Sequence, residues 1–384
     1  MTSLNTLDTP DTLADACDHL RTAYARARQA GGTRHRDIAQ QLAVSEGELV
    51  AAHAGPQPGA GGLHARRLRA AWPALLAALE PVGEVMALTR NASCVHEKNG
   101  VYRGSSASGP PGREMGLVLG SEIDLRVFYS RWAHGFAVDE PREHGIQRSL
   151  QFFDAAGLAL HKVFARPATD LAAWAALVDG FAAGGGPPGL VRPGLVPKTV
   201  PAGPPEAADA QIDTAAFHHA WASMRDTHDF FGVLKRHGLT RTQALRLAEP
   251  RFVQPVDSAS AQAVLTAAAS AGTPVMVFVG NPGMIQIHTG PVHKVAVMGP
   301  WLNVLDPGFN LHLREDHIAA AWVVRKPTSD GLVTSLELFD AQGETIAMFF
   351  GERKPGRAEL CAWRVLIDGL VGEHASLEST PCAA

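Results

Sequence analysis

Arg148–Gly157 reads R-S-L-Q-F-F-D-A-A-G, and Thr334–Gly343 reads T-S-L-E-L-F-D-A-Q-G. The two stretches align without a gap, Ser149 on Ser335 and Asp154 on Asp340, each pair 186 positions apart. The same offset sets Leu125 on Leu311, Phe136 on Trp322 and Val138 on Val324. W-A-A-L-V-D-G (Trp174–Gly180) matches W-R-V-L-I-D-G (Trp363–Gly369) at an offset of 189, and Arg36–Ala43 resembles Arg241–Ala248 more loosely. Several matches in one order argue for an internal duplication. Each copy reads as helices, a meander of antiparallel strands and a closing helix, which makes the fold class a duplicated α+β unit.

Outward from the repeat, short alternating runs predict strands at 85–89, 116–119, 124–128, 135–138, 149–153 and 160–165. Asp154-Ala155-Ala156-Gly157 is a hairpin signal between two of them. Residues 171–181 predict a helix with Trp174, Leu177, Val178 and Phe181 on one face. Residues 17–53 read as helices, and 66–79 as a helix that Pro73 kinks or splits. The expected domains are a loose tail (1–16), a first repeat (17–182), a Gly/Pro-rich linker (183–210), a second repeat (211–372) and a second tail (373–384).

Of the 384 residues, 46% are hydrophobic and 19% charged, enough for a sizeable core without a cofactor. A net charge of −4 argues against a whole-protein footprint for nucleic acid. The 4 cysteines, Cys17, Cys94, Cys361 and Cys382, form no C-x-x-C and read as free thiols in a reducing compartment. No secretory signal and no apolar run long enough for a spanning helix is visible, so the expected location is cytoplasmic, without stable membrane insertion. Arg36–Val50 resembles a helix-turn-helix, with Ser45 as cap of its second helix. That helix offers Glu46 and Glu48 but no arginine, which favours a packed hairpin over a DNA reader.

The stretch W-A-S-M-R-D-T-H-D-F-F-G-V-L-K-R-H-G-L-T-R (Trp221–Arg241) carries the first candidate site. At helical spacing Trp221, Met224, His228, Phe231 and Lys235 share a face that is apolar but for His228 and the Lys235 head group. Asp226 and Asp229 can cap a helix or orient the ring. His237-Gly238 is a helix stop, and Arg241 follows within reach. An apolar slot with one imidazole and cations at its rim suits a planar dianion such as haem, whose iron takes a proximal His and whose propionates meet cations. A core histidine bonded to a carbonyl fits the same pattern, and this stretch does not separate the two. Arg325, Lys326 and Arg353 are further candidate propionate partners, and Phe278, Phe349 and Phe350 candidate pocket wall; a strand-end Lys or Arg also reads as simply solvated. Arg126, inside D-L-R-V-F, faces either solvent or a cleft. His96, next to Glu97 and the Asn99-Gly100 turn signal, reads as a strand-end residue or a second iron ligand. H-E-K-N is not H-E-x-x-H, and no Walker, Rossmann or G-x-S-x-G motif is present.

Seven segments together carry a resemblance: R-N-A-S-C-V-H-E, D-L-R-V-F, R-S-L-Q-F-F-D-A-A-G, D-T-H-D-F-F-G-V-L-K-R-H-G-L-T-R, V-M-V-F-V-G-N-P-G-M-I-Q-I-H-T-G, W-L-N-V-L-D-P-G-F-N-L-H-L-R-E and A-W-V-V-R-K-P-T-S-D-G-L-V-T-S-L-E-L-F-D. Spread over residues 33 to 372, the chain resembles the bacterial cytoplasmic hemin-binding and hemin-degrading factors of haem-uptake operons, the HemS/HmuS type. The resemblance implies two large antiparallel β-sheets with flanking helices, and protohaem IX as the cofactor. It implies His228 as the proximal iron ligand and Arg126 as a distal arginine reaching over from the first half, with haem between the halves. Arg241 is then a rim residue, and Lys326 and Arg353 are pocket cations. In some members the histidine matching His96 is a haem ligand, and some carry a tyrosine where this chain has Phe350. The implied function is to receive imported haem from an inner-membrane importer. The haem is then either degraded to release iron, with a separate reductase as electron donor, or delivered to a haem oxygenase. Two rivals stand beside this: a haem-responsive nucleic-acid-binding regulator using residues 36–50, and a scaffold without ligand.

Overall fold

The structure, a computed structural model, describes residues 12–32, 34–55, 62–110, 112–184, 189–190, 206–354 and 356–371. In chain order the first half carries α1 (Leu13–Gln29), α2 (His35–Gln41), α3 (Glu46–Ala52), β1 (His64–Arg67), α4 (Trp72–Ala77), β2 (Gly83–Arg90), β3 (Cys94–Gly100), β4 (Ser105–Ser108), β5 (Met115–Leu119), β6 (Asp124–Phe128), β7 (His134–Arg142), β8 (Gly145–Phe153), β9 (Ala159–Thr169) and α5 (Leu171–Phe181). The second half carries α6 (Thr214–Ala222), α7 (Asp229–His237), α8 (Arg241–Leu247), β10 (Val253–Val256), α9 (Ser260–Ala271), β11 (Val275–Asn281), β12 (Met284–Gly290), β13 (Val295–Met298), β14 (Trp301–Asp306), β15 (Phe309–Arg314), β16 (Ala320–Thr328), β17 (Gly331–Phe339), β18 (Thr345–Gly351) and α10 (Cys361–Val371).

Two large antiparallel sheets with flanking helices organise these elements. The chain condenses into two compact units: Met1–Leu88, Asn99–Lys198 and Pro282–Met284 in one, Thr89–Lys98, Thr199–Asn281 and Ile285–Ala384 in the other. In the first unit the strand order is β1-β7-β8-β9-β2. Side chains alternate across these strands. Phe136 and Val138 therefore pack with Tyr24, Ile38 and Leu49 of α1–α3. Ala137, Leu150 and Val163 pack on the other face with Leu75 of α4 and Trp174 and Leu177 of α5. The second unit repeats the plan as β10-β16-β17-β18-β11. Val324 meets Phe217, Trp221 and Phe230 of α6 and α7 on one face; Val323, Leu336 and Phe349 meet Leu265 of α9 and Trp363 of α10 on the other.

The duplication extends to register. Val138 pairs with Ser149 and Ser149 with Phe164; at the same offset Val324 pairs with Ser335 and Ser335 with Phe350. Even the bulge recurs, between Phe152 and Phe153 and between Leu338 and Phe339. Both hairpins turn on an aspartate that accepts backbone N–H bonds from the second and the fourth residue after it, then on a glycine at positive φ, +81° at Gly157 and +78° at Gly343.

Several expectations are corrected. The helix expected over 66–79 is a strand followed by a helix from Trp72, because Pro73 suits a helix start and not its interior. Helix α1 begins at Leu13, inside the stretch read as tail, with Thr12 as its cap. Most of the linker and the second tail lie outside the described residues. Cys17 and Cys94 are buried free thiols, but Cys361 is disulfide-bonded, against the all-thiol reading. The helix-turn-helix forms as α2 and α3, capped by Ser45 in a capping box with Glu48, yet α3 is interior: Glu46, Gly47 and Leu49–Ala52 are buried, and the Glu46 carboxylate pairs with the Lys162 ammonium. A helix so covered cannot enter a DNA groove.

Gly157 is held in two ways. Its positive φ disfavours any side chain, and a Cβ there would fall 2.1 Å from Ser45 Oγ, the cap of α3. At Gly343 the nearest atom, Thr242 Oγ1, is 3.2 Å away. Gly157→Ala is therefore expected to cost about 2 kcal/mol or more, through backbone strain plus a displaced cap, and Gly343→Ala less. Urea denaturation of the two variants checks the order.

Candidate functional site

The stretch Trp221–Arg241 does not form one helix. α6 ends at Ala222 and α7 starts at Asp229, because the carboxylates of Asp226 and Asp229 capture backbone donors a continuous helix would use. Asp229 Oδ2 accepts from the N–H groups of Arg225 at 3.0 Å and Asp226 at 2.9 Å. Asp226 Oδ1 accepts from the His228 N–H at 2.8 Å and from its ring Nδ1 at 2.6 Å. Gly238 closes α7 in the left-handed conformation, after Lys235, Arg236 and His237 in its last turn.

The shared apolar face is corrected with the helix. Trp221 and Met224 are buried, whereas the His228 side chain is 89% exposed and Phe231 66% exposed. α7 buries Phe230 and Val233 instead. His228 thus stands at the head of α7, opening on a groove of about 670 Å³ between α6 and α7 that His219, Arg236 and His237 also line. Hydrogen bonds from His228, backbone then ring, hold the Asp226 carboxyl below the usual carboxylate range, and the Arg353 charge adds to this. An ionised acceptor on Nδ1 requires the proton there, so in the neutral ring the Nε2 lone pair is free to bind a metal. Among the described residues no three His, Cys, Asp or Glu side chains converge as a metal site. A lone imidazole retains a metal that brings its other ligands with it, as in a porphyrin.

Arg353 sits beside this loop. Its Nη2 lies 3.5 Å from Asp330 Oδ2 in the β16–β17 turn, and the Ser329 N–H of that turn donates to the Arg225 carbonyl at 2.8 Å. Strand alternation then sorts the rest. Arg325 turns to Gln254 and to Asp368 of α10, away from the α6–α8 face, which removes it from the candidate cations. Its neighbour Lys326 is buried, with Nζ 2.7 Å from Glu337 Oε1. Arg241, at the start of α8, reaches the same carboxylate, its Nε 2.9 Å and its Nη2 2.8 Å from Oε2. Burial pushes the Glu337 acid up, but Arg241 and then Lys326 outweigh it and bring it down to about 2. Burial also lowers Lys326, against the pull of Glu337. Register places Phe278 across from Met348 and Phe350 across from Met276 and Ser335, on the Glu337 face of the sheet. The Phe278 and Phe350 rings meet edge to face, centroids 5.0 Å apart. Phe349, expected beside them, is buried on the opposite face.

Two further expected residues each have local partners of their own. His96 belongs with the second unit and lies inside β3, paired with Leu311. It is fully buried, its ring 4.9 Å from that of Phe309, on which His288 stacks at 3.8 Å. Burial, then His288 and Lys98, hold it well below the usual histidine range. Arg126 belongs to the first unit, on β6 opposite Leu117; its guanidinium folds back onto Asp124 and the Leu125 carbonyl. Sequence reading missed Glu337 altogether. The available signal was its parity with Val333 and Ser335: a carboxylate at a covered strand position requires a cation.

The family described as haemin-degrading HemS/ChuX domain matches residues 43–181 and 238–370. The hemin transport protein HmuS of Yersinia pestis is 41% identical over 91% of this chain and 96% of its own length. The crystal structure of holo-PhuS, a heme-binding protein from Pseudomonas aeruginosa, superposes with a TM-score of 0.85 at 45% identity, covering 92% of this chain and 99% of that one. That of ChuS, described as an E. coli heme oxygenase, gives 0.79 at 37% identity, covering 92% and 100%. A duplicated domain matched in both halves, by relatives aligned end to end, places this chain in the HemS family of haemin-handling proteins.

Proposed function

We propose that this protein binds haem through His228 and handles it after import, in the cytoplasm. The observation that carries the reading is the exposed imidazole whose Nδ1 is committed to Asp226. Bound there, haem would supply the redox chemistry of any degradation. Asp226 fixes the ring tautomer and direction; Phe278 and Phe350 would offer aromatic surface to the macrocycle, and Arg353 and the Arg241–Lys326 pair would attract its carboxylates. Arg126 is proposed as the distal hydrogen-bond donor on the strength of the D-L-R-V-F resemblance. His96 is not proposed as the primary ligand, since it is sealed inside a sheet.

The relatives' descriptions, hemin transport and heme oxygenase, frame two fates for the bound haem: degradation with an external electron donor, or delivery to a haem oxygenase. Hemin-loaded protein given a reductase, NADPH and catalase separates them. A Soret band that decays with release of iron identifies degradation. One that survives and passes to an added haem oxygenase identifies delivery. Haem would arrive from an inner-membrane importer. Among the described residues no helix is long and apolar enough to cross a membrane.

Two outcomes test the ligand set by hemin titration. His228→Ala should weaken binding by at least about tenfold, or replace the absorption spectrum, while His96→Ala leaves both near wild type; equal effects would remove His228 from the role. Asp226→Asn should keep the complex but weaken it roughly tenfold and alter the axial-ligand spectrum, since an amide offers a poorer acceptor to Nδ1.

A further inference from the structure

The cations expected to meet the ligand's acid groups are already engaged by one carboxylate of the protein itself. Resting on the haem reading above, we propose that Glu337 is a resident counter-anion that competes with the ligand's carboxylates for Lys326 and Arg241, and so sets how readily the ligand is released. Glu337 is fully buried, while Lys326 is 5% and Arg241 18% exposed. Its Oε1 accepts from Lys326 Nζ at 2.7 Å and Ser335 Oγ at 3.0 Å, and its Oε2 from Arg241 Nε at 2.9 Å. Both cations lie over the Phe230 ring, 4.8 and 5.2 Å from its centroid. Two positive charges and one negative leave a single net charge on a face that also carries Phe278, Phe350, Met276, Met348 and Ser335, where weak screening makes that charge strongly felt.

Arg241 is the outer member. Its Nε and Nη2 are turned inward to Glu337, and Nη2 also meets Met348 Sδ at 3.3 Å, so an arriving carboxylate meets the remaining edge of a guanidinium whose charge Glu337, shared with Lys326, offsets only in part. The attraction is that of one cation, not two: enough to orient an acid group, and weak enough for exchange. The repeat does not dictate this device. In the first unit the matching positions are Glu140 for Lys326 and Gln151 for Glu337, and Glu140 is tied instead to Arg142 at 2.8 Å and His35 at 3.1 Å.

The test uses metal-free protoporphyrin IX, which removes iron ligation by His228, alongside its dimethyl ester, which lacks the acid groups. Both are titrated by fluorescence into wild type and Glu337→Gln. Glu337→Gln should bind the diacid about tenfold more tightly, with the ester unchanged; diacid affinity equal to or below wild type overturns the proposal. Should Glu337→Gln fail to fold, Lys326→Met decides, because it leaves Glu337 and Arg241 as a neutral pair. It should weaken the diacid about tenfold and spare the ester, and an unchanged diacid affinity overturns the proposal. Failure of wild type to bind hemin would overturn the haem reading itself, and with it this one.

Discussion

Glu337 carries a charge where no water reaches it, and the pocket side of the second unit is arranged around that constraint. A buried carboxylate that loses its partners costs on the order of 3–5 kcal/mol, so β16 must present Lys326 and the first residue of α8 must present Arg241. Those bonds tie the α6–α8 layer to the sheet. Trp221 adds a second tie, its indole N–H donating to the Arg325 carbonyl at 3.1 Å. Once both are made, the loop between α6 and α7 has little freedom, and the Ser329 bond to Arg225 fixes it against the β16–β17 turn.

Within that loop two aspartates do different work. Asp229 stops α6 from running on into α7, and Asp226 turns the backbone of His228 and its ring with the same oxygen. The histidine therefore points outward with a defined tautomer although its side chain is almost fully exposed. Precision here comes from a short-range hydrogen bond and not from packing, which suits a ligand that must enter and leave.

The duplication was legible because hairpin register, bulge and turn are each set by local residues, and both copies keep them: Asp154 with Gly157, Asp340 with Gly343. His228, Lys326, Arg353, Phe278 and Phe350 were legible as candidates from the stretches that carry them. The break after Ala222 was not, since helical spacing sees Trp221, Met224 and His228 in phase while the Asp side chains that interrupt the helix act through backbone donors that spacing ignores. Arg325 and Lys326 are neighbours in sequence and opposites in space; only the pairing of Val324 with Ser335 reveals which faces α8. Glu337 escaped notice because its meaning lies in partners 11 and 96 positions away. His96 was read at a strand end, but the chain buries it within β3 through its pairing with β15, a long-range contact that no local pattern announces.

The central claim is that His228 meets the iron through Nε2 while Asp226 keeps Nδ1. A crystal structure of the hemin complex tests it most directly. Iron at bonding distance from His228 Nε2, with the Nδ1 bond to Asp226 intact, is the expected result. Iron held by any other side chain, or a His228 ring flipped so that Nδ1 faces the metal, would contradict it.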